Sequence, residues 1–119
     1  MRLINRQSVI VKAKQPFADW VNSTKVNPSE RDTTVESINS EPSVFLIPNF
    51  EEITDAEKYI EGLKTFIFEY TLNGWYNIES SWPKDRSSKV FNQWFECKYA
   101  SMVQDVDCDS PLGYELWDE

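Results

Sequence analysis

Apolar positions along the chain fall into patterns of different period, and each predicts a different element. Ser8-Val9-Ile10-Val11 and Ser43-Val44-Phe45-Leu46-Ile47 are short continuous runs dominated by β-branched and other large apolar residues. Such runs suit strands covered on both faces. From Thr54 to Trp75 the period changes. Ala56, Tyr59, Ile60, Leu63, Phe66, Ile67 and Tyr70 recur at three- and four-residue steps, the spacing of one helical face. Thr54-Asp55-Ala56-Glu57 reads as a capping box at the start of this helix, and Asn73-Gly74 as a left-handed stop. Phe68 falls off the stripe, which predicts cover on more than one side. A shorter helix over residues 87–95 places Val90, Phe91, Trp94 and Phe95 on one face, behind N-cap candidates between Asp85 and Ser88. Tyr99 to Val106 fits either a continuation of that helix or a strand.

Local signals fill the remainder. Pro16 suits the first position of a helix, where its missing N–H is no loss, with Phe17, Trp20 and Val21 turned inward and Asn22-Ser23 at the end. Residues 23–42 are polar, but a structureless loop of ~20 residues is unusual in a compact domain. Thr33-Thr34-Val35-Glu36 reads as a second capping box, opening a short helix through Ile38. Pro42 and Pro48 bracket the second strand. With helix between the first two strands, the pair is expected to be parallel and the crossover right-handed. Trp75 to Pro83 is an aromatic loop, Pro111-Leu112-Gly113 a turn, and Leu116-Trp117 an apolar pair placed to tuck onto the core.

Composition narrows the classes. With 119 residues the chain is one domain, large enough for a core without metal or disulfide. A net charge of −8 argues against nucleic acid, whose binding depends on neutralising phosphates. The charge is uneven: residues 1–25 carry five basic side chains against Asp19 alone, so the body is acidic, which favours solubility and basic partners. No apolar run follows the charges of Met1-Arg2-Leu3-Ile4-Asn5-Arg6, so no leader is expected. No stretch approaches the ~18 apolar residues of a membrane span. Cys97 and Cys108 are separated by roughly 35 Å if the chain between them is extended, or by about 16 Å if it is helical. Both exceed the ~7 Å that a disulfide can bridge. Free thiols in a reducing cytoplasm are expected.

Several segments together resemble a group of small uncharacterised bacterial proteins. They are Arg6-Gln7-Ser8-Val9-Ile10-Val11 leading to Lys14-Gln15-Pro16-Phe17-Ala18-Asp19-Trp20; Val44-Phe45-Leu46-Ile47-Pro48; Trp75 with Trp82-Pro83 and Arg86; and Phe91-Asn92-Gln93-Trp94-Phe95-Glu96 followed by Ser101-Met102-Val103-Gln104-Asp105. These are packing and turn motifs. The chain departs from the group at Lys98, where an acid is usual, and at Ala100, where a histidine is usual. The resemblance implies that the segment after Trp94-Phe95 alternates as a strand, and it brings no activity with it. The expected fold is therefore a single-domain α+β structure. A small mixed sheet of about three strands, residues 6–14, 43–47 and 98–106 in β-α-β-α-α-β order, is covered by helices at 55–73 and 87–95.

Candidate chemistry is sparse. The chain has no histidine, which excludes triads with an imidazole base and the usual zinc sites. Asp105-Val106-Asp107-Cys108-Asp109 has the alternating acids of a calcium loop, but Ser110 stands where the loop needs Gly and Leu116 where it needs Glu; a solvated strand end is the simpler reading. Glu51, Glu52, Asp55, Glu57 and Glu61 are acids that a helix start prefers. Cys97 lacks a histidine partner and reads as a partly buried thiol. Lys12 and Lys14 lie where the first strand ends, before a helix N-terminus, and form the candidate anion site, although no Gly-rich phosphate loop accompanies them. Trp75, Tyr76 and Trp82, on a loop, are the candidate partner-binding residues. No cofactor or metal is expected. The leading expectation is a non-enzymatic cytoplasmic protein–protein interaction domain, with a second copy of itself as one candidate partner. The alternative is a small enzyme or sensor holding an anionic ligand at Lys12 and Lys14.

Overall fold

Everything in the fold is arranged about one strand, β2 (Gln7–Ala13), which is hydrogen-bonded on both sides. A computed structural model describes residues 1–116, an α+β fold in which β3 (Ser43–Ile47), β2 and β4 (Phe95–Ala100) form a three-stranded sheet in that spatial order. A small separate ribbon joins β1 (Arg2–Leu3) to β5 (Gln104–Asp105). Helices α1 (Gln15–Ser23) and α2 (Val35–Asn39) link β2 to β3, and α3 (Ile53–Glu61), α4 (Lys64–Trp75) and α5 (Ser88–Trp94) link β3 to β4. Among the described residues no helix is long and apolar enough to cross a membrane.

The first two strands of the sheet are antiparallel, with Val9 opposite Phe45, against the parallel pairing expected from the sequence. The reason lies in the connection. One crossover helix ends at the far end of the sheet, but here α1 runs out and α2 comes back. The side chain of Asn39 then takes both backbone groups of Ala13: Nδ2 donates to the Ala13 carbonyl at 3.0 Å, and Oδ1 accepts from the Ala13 N–H at 2.8 Å. A second asparagine closes the intervening loop in the same manner, Asn22 pairing with both backbone groups of Thr33 at 2.7 and 2.9 Å. The chain is thus returned to the end of the sheet it left, and β3 has to run back along β2. Pro16 stands in the first turn of α1 as expected. Thr34, not Thr33, caps α2, its side chain accepting from the Ser37 N–H at 3.1 Å.

The long helix is two helices. The chain breaks at Gly62-Leu63, and α4 restarts at Lys64. The first turn of α3 closes on the Glu52 carbonyl, which accepts from Asp55 and Ala56, so Thr54 lies too late to cap it. The break changes the helical phase. Ala56 and Ile60 are buried from α3, whereas Ile67, Phe68 and Leu72 are buried from α4. Phe68, off the expected stripe, is wholly buried, and the expected core residues Phe66 and Tyr70 are 52 % and 54 % exposed, with Tyr59 also exposed. Nor does Asn73-Gly74 form a left-handed stop: no described residue has positive φ, and α4 runs on to Trp75. It ends because Tyr76 turns extended, its N–H donating to the Leu72 carbonyl at 2.9 Å.

The core is an aromatic cluster on one face of the sheet. Val9, Val11 and Ala13 point into it from β2, and Phe95 joins them from β4. Phe17 of α1 lies 5.0 Å from Phe95, while Phe68 contacts Phe91, Trp94 and Phe95 at centroid distances of 5.3 to 6.1 Å. These are the separations at which aromatic pairs attract beyond area burial alone. The third strand begins at Phe95, three residues before the expected start, because the Lys14 N–H donates to the Trp94 carbonyl at 2.8 Å and sets the chain beside β2 there. It also stops at Ala100. Gln104 and Asp105 leave for β1, where the Arg2 guanidinium meets Asp105 at 2.7 Å. Leu116 does not tuck onto the core but is exposed, and Trp117 lies outside the described residues.

Two substitutions test this account. Asn39→Ala leaves both groups of Ala13 without their partner, and urea denaturation is expected to show a loss of about 2 kcal/mol; a loss near zero would mean that the strand direction is set elsewhere. Phe68→Ala is expected to lose about 3–5 kcal/mol, whereas Phe66→Ala stays within about 1 kcal/mol. The reverse order would restore the single-helix stripe.

Candidate interaction surface

Of the residues singled out from the sequence, Lys12 and Lys14 are not brought together as a site. Lys14 Nζ donates to the Asn92 carbonyl at 2.7 Å, tying the start of α1 to α5. Lys12 points to the opposite face of β2 from the core, cross-strand from Glu96. The antiparallel pairing also removes the parallel carboxyl edge on which that site was founded, because ligands collect where parallel strands end side by side. Arg2 is engaged with Asp105.

The aromatic loop is closed on itself. The Trp82 indole N–H donates to the Tyr76 carbonyl at 2.8 Å, and the Arg86 guanidinium lies 5.8 Å from its ring centre. Arg86 in turn meets Glu69 of α4 at 2.9 Å and the Pro83 carbonyl at 2.7 Å. Trp75 packs edge-on against Phe17 at 5.9 Å, although 45 % of its surface is exposed. Tyr76 and Trp82 are half-buried against the core. These three residues cap the end of α4, and most of their contact capacity is used within the chain.

The acids at the start of α3 scatter over exposed positions, and Glu61 faces away to Lys64 at 2.8 Å and to the Ser88 hydroxyl. The hydrogen bond from Lys64 and then that from Ser88 hold the Glu61 carboxyl below its ordinary range. At the calcium-like segment, Asp105 and Asp107 turn back onto their own chain, accepting from the Asp107, Asp109 and Ser110 N–H groups, and Asp105 also takes Arg2. Oxygens committed in this way are those a cation would need. Among the described residues no group of three metal-ligating side chains converges.

What the sequence did not reveal lies at the edge of the sheet. β3 is an edge strand, with β2 on one side and no strand among the described residues on the other. It contains no charged residue, and apolar groups stand on both of its faces. On the face away from the core, Val44 and Leu46 are each 56 % exposed, next to Ile10 of β2. On the core face, Phe45 lies edge-on to Tyr70 of α4 at 6.1 Å, and Tyr70 stacks with Phe66 at 6.4 Å, both half-exposed. The expected double burial of this strand therefore fails for Val44 and Leu46, because no helix among the described residues is packed beyond them. The opposite edge differs: β4 directs Glu96 and Lys98 into solvent. Charges on an edge deter pairing, and their absence permits it. A shallow hollow of about 350 Å³ lies beside Leu46, lined by Ile4, Asn5, Arg6 and Leu112 to Tyr114.

Inward-facing groups of β4 are suppressed as nucleophiles. Burial raises the Cys97 thiol above its ordinary value, and burial likewise pushes Tyr99 up to about 12. Cys108 is exposed, beside the N-terminal amine. Both cysteines are free, as the sequence implies. With a maleimide reagent at neutral pH, Cys108 is expected to react faster than Cys97 by roughly tenfold or more; equal rates, resolved by peptide mass spectrometry, would show that β4 opens readily.

No family model, curated protein or solved structure matches the chain.

Proposed function

We propose that this protein is a non-enzymatic interaction domain whose β3 edge accepts an extended apolar segment as an added strand. The observation that carries the reading is the contrast between the two edges of one sheet. β4 presents Glu96 and Lys98, whereas Ser43-Val44-Phe45-Leu46-Ile47 presents an edge that no strand among the described residues pairs with, and no charge to keep a partner away. Strand addition draws affinity from main-chain hydrogen bonds and specificity from alternate side chains. Both are on offer here: Val44 and Leu46 on one side, and the Phe45, Tyr70 and Phe66 aromatic group on the other. An exposed apolar edge is otherwise an aggregation hazard. Pro42 and Pro48 limit it to five residues, too short to seed an extended ladder.

The alternative reading, an anionic ligand at Lys12 and Lys14, gains no support from the geometry, since the Lys14 amine is bound to the Asn92 carbonyl and Lys12 stands cross-strand from the acid Glu96. The test compares capture from a cell lysate by wild-type protein, Leu46→Lys and Trp82→Ala, side by side. The expected outcome is that Leu46→Lys loses at least roughly tenfold of the retained partner, in keeping with burial of a charge in an apolar contact, whereas Trp82→Ala retains it. Equal capture by wild type and Leu46→Lys would overturn the assignment to β3.

A further inference from the structure

We infer that the strand received at the β3 edge is β3 of a second copy, paired antiparallel about a two-fold axis through Phe45. This deepens the interaction reading and rests on it. In that register Phe45 faces Phe45 of the other copy, Val44 faces Leu46, and Ser43 faces Ile47. Every pair is then apolar or small. On the outer face the two copies place four aliphatic side chains in one patch, and on the core face two Phe45 rings meet beside two Tyr70–Phe66 stacks.

The prolines select the register. Pro42 and Pro48 are equidistant from Phe45, so only pairing centred there sets each proline opposite the other at the end of the ladder. Any slip moves a residue without an N–H in among the paired strands. A slip by one residue also sets outer-face side chains against core-face ones.

The partner edge is selected by charge. Pairing of β3 with β4 of another copy would bring Glu96 and Lys98 against Val44 and Leu46 and repeat without end. Pairing of β3 with itself uses the same patch on both copies and closes after two. The surface suffices for a reversible contact. Half-exposed Phe66 and Tyr70 offer about 100 Å² each, and Val44 and Leu46 together add about 100 Å². That is about 600 Å² of apolar surface for the pair, or ~1,000 Å² in all at the usual apolar share, the floor for a specific interface.

The experiment is sedimentation equilibrium of the full chain over a wide concentration range, joined to a cross-link that reads the register. Wild type is expected to approach twice the monomer mass at high concentration and to dissociate on dilution. Leu46→Lys is expected to remain monomeric with an unchanged circular dichroism spectrum, since the side chain it replaces is exposed. Oxidation of a mixture of Val44→Cys and Leu46→Cys proteins is expected to yield a disulfide between positions 44 and 46 of different copies, mapped by mass spectrometry to separate it from bonds to Cys97 or Cys108. Positions directly opposite on antiparallel strands lie within disulfide reach. A wild type that is monomeric throughout, or a dimer untouched by Leu46→Lys and lacking the 44–46 bond, overturns self-pairing. If wild type is monomeric while Leu46→Lys still loses a captured protein, the occupant is a different chain: self-pairing falls and the interaction reading stands. If neither changes, both fall.

Discussion

The pair of hydrogen bonds between the Asn39 side chain and the backbone of Ala13 decides more than its own free energy suggests. An asparagine side chain carries the donor and acceptor of a peptide group, so at the end of β2 it acts as one further rung of the sheet. That rung holds the end of α2 beside the end of β2, and the direction of β3 follows. Were the chain released there, α1 and α2 could lead to either end of the sheet. With β3 antiparallel and at the edge, Phe45 meets Tyr70 and the sheet is left with an uncharged margin. A local polar contact thus determines which apolar groups remain in solvent.

The same constraint explains how much was legible in the sequence. The class of the fold, the existence of β2, β3, α1, α2 and α5, and the core roles of Val9, Phe17, Trp20 and Phe91 all follow from periodicity and capping residues near in sequence. Strand direction does not, because it depends on Asn39 meeting a residue 26 positions away. Two helices between neighbouring strands were nonetheless visible, and an out-and-back pair is the connection that returns the chain to its starting end. The count of helical passes, not the mere presence of helix, carried the direction.

Helices α3 and α4 show a different failure. A seven-residue stripe from Ala56 to Tyr70 fits one continuous helix well, and the fit itself misled, since Phe66 and Tyr70 lie outside the core while Phe68 lies at its centre. Gly62 was the available signal: a glycine within a helix weakens it relative to alanine. Lys64 then fixes the restart, with its amine on Glu61 at 2.8 Å and on Asn92 at 2.8 Å, 5.6 Å from the centre of the Phe91 ring. The break turns α4 so that its aromatic residues divide between the core and the β3 margin. The candidate surface is therefore a consequence of helix phase, which no single residue announces.

Evenly apolar strands such as Ser43 to Ile47 are ordinarily buried on both faces in parallel sheets. Here the run sits at the margin of an antiparallel sheet whose second face leaves Val44 and Leu46 in solvent, so the pattern is out of place for the isolated chain. Natural edges are kept solitary by charge, by bulges or by cover, and β4 of this same sheet uses the first of these. An edge left bare opposite a guarded one is the arrangement the proposed pairing requires, with one partner admitted and others refused. The flanking prolines act in the same sense: they leave the centre of β3 free to pair while denying it length. A strand meant only to end the sheet needs neither feature. Lysine at position 44 or 46 would guard it with little penalty to the fold, because those side chains already lie more than half in solvent. The proposed association would therefore account for apolar surface at that margin that the internal packing of the described residues leaves in solvent.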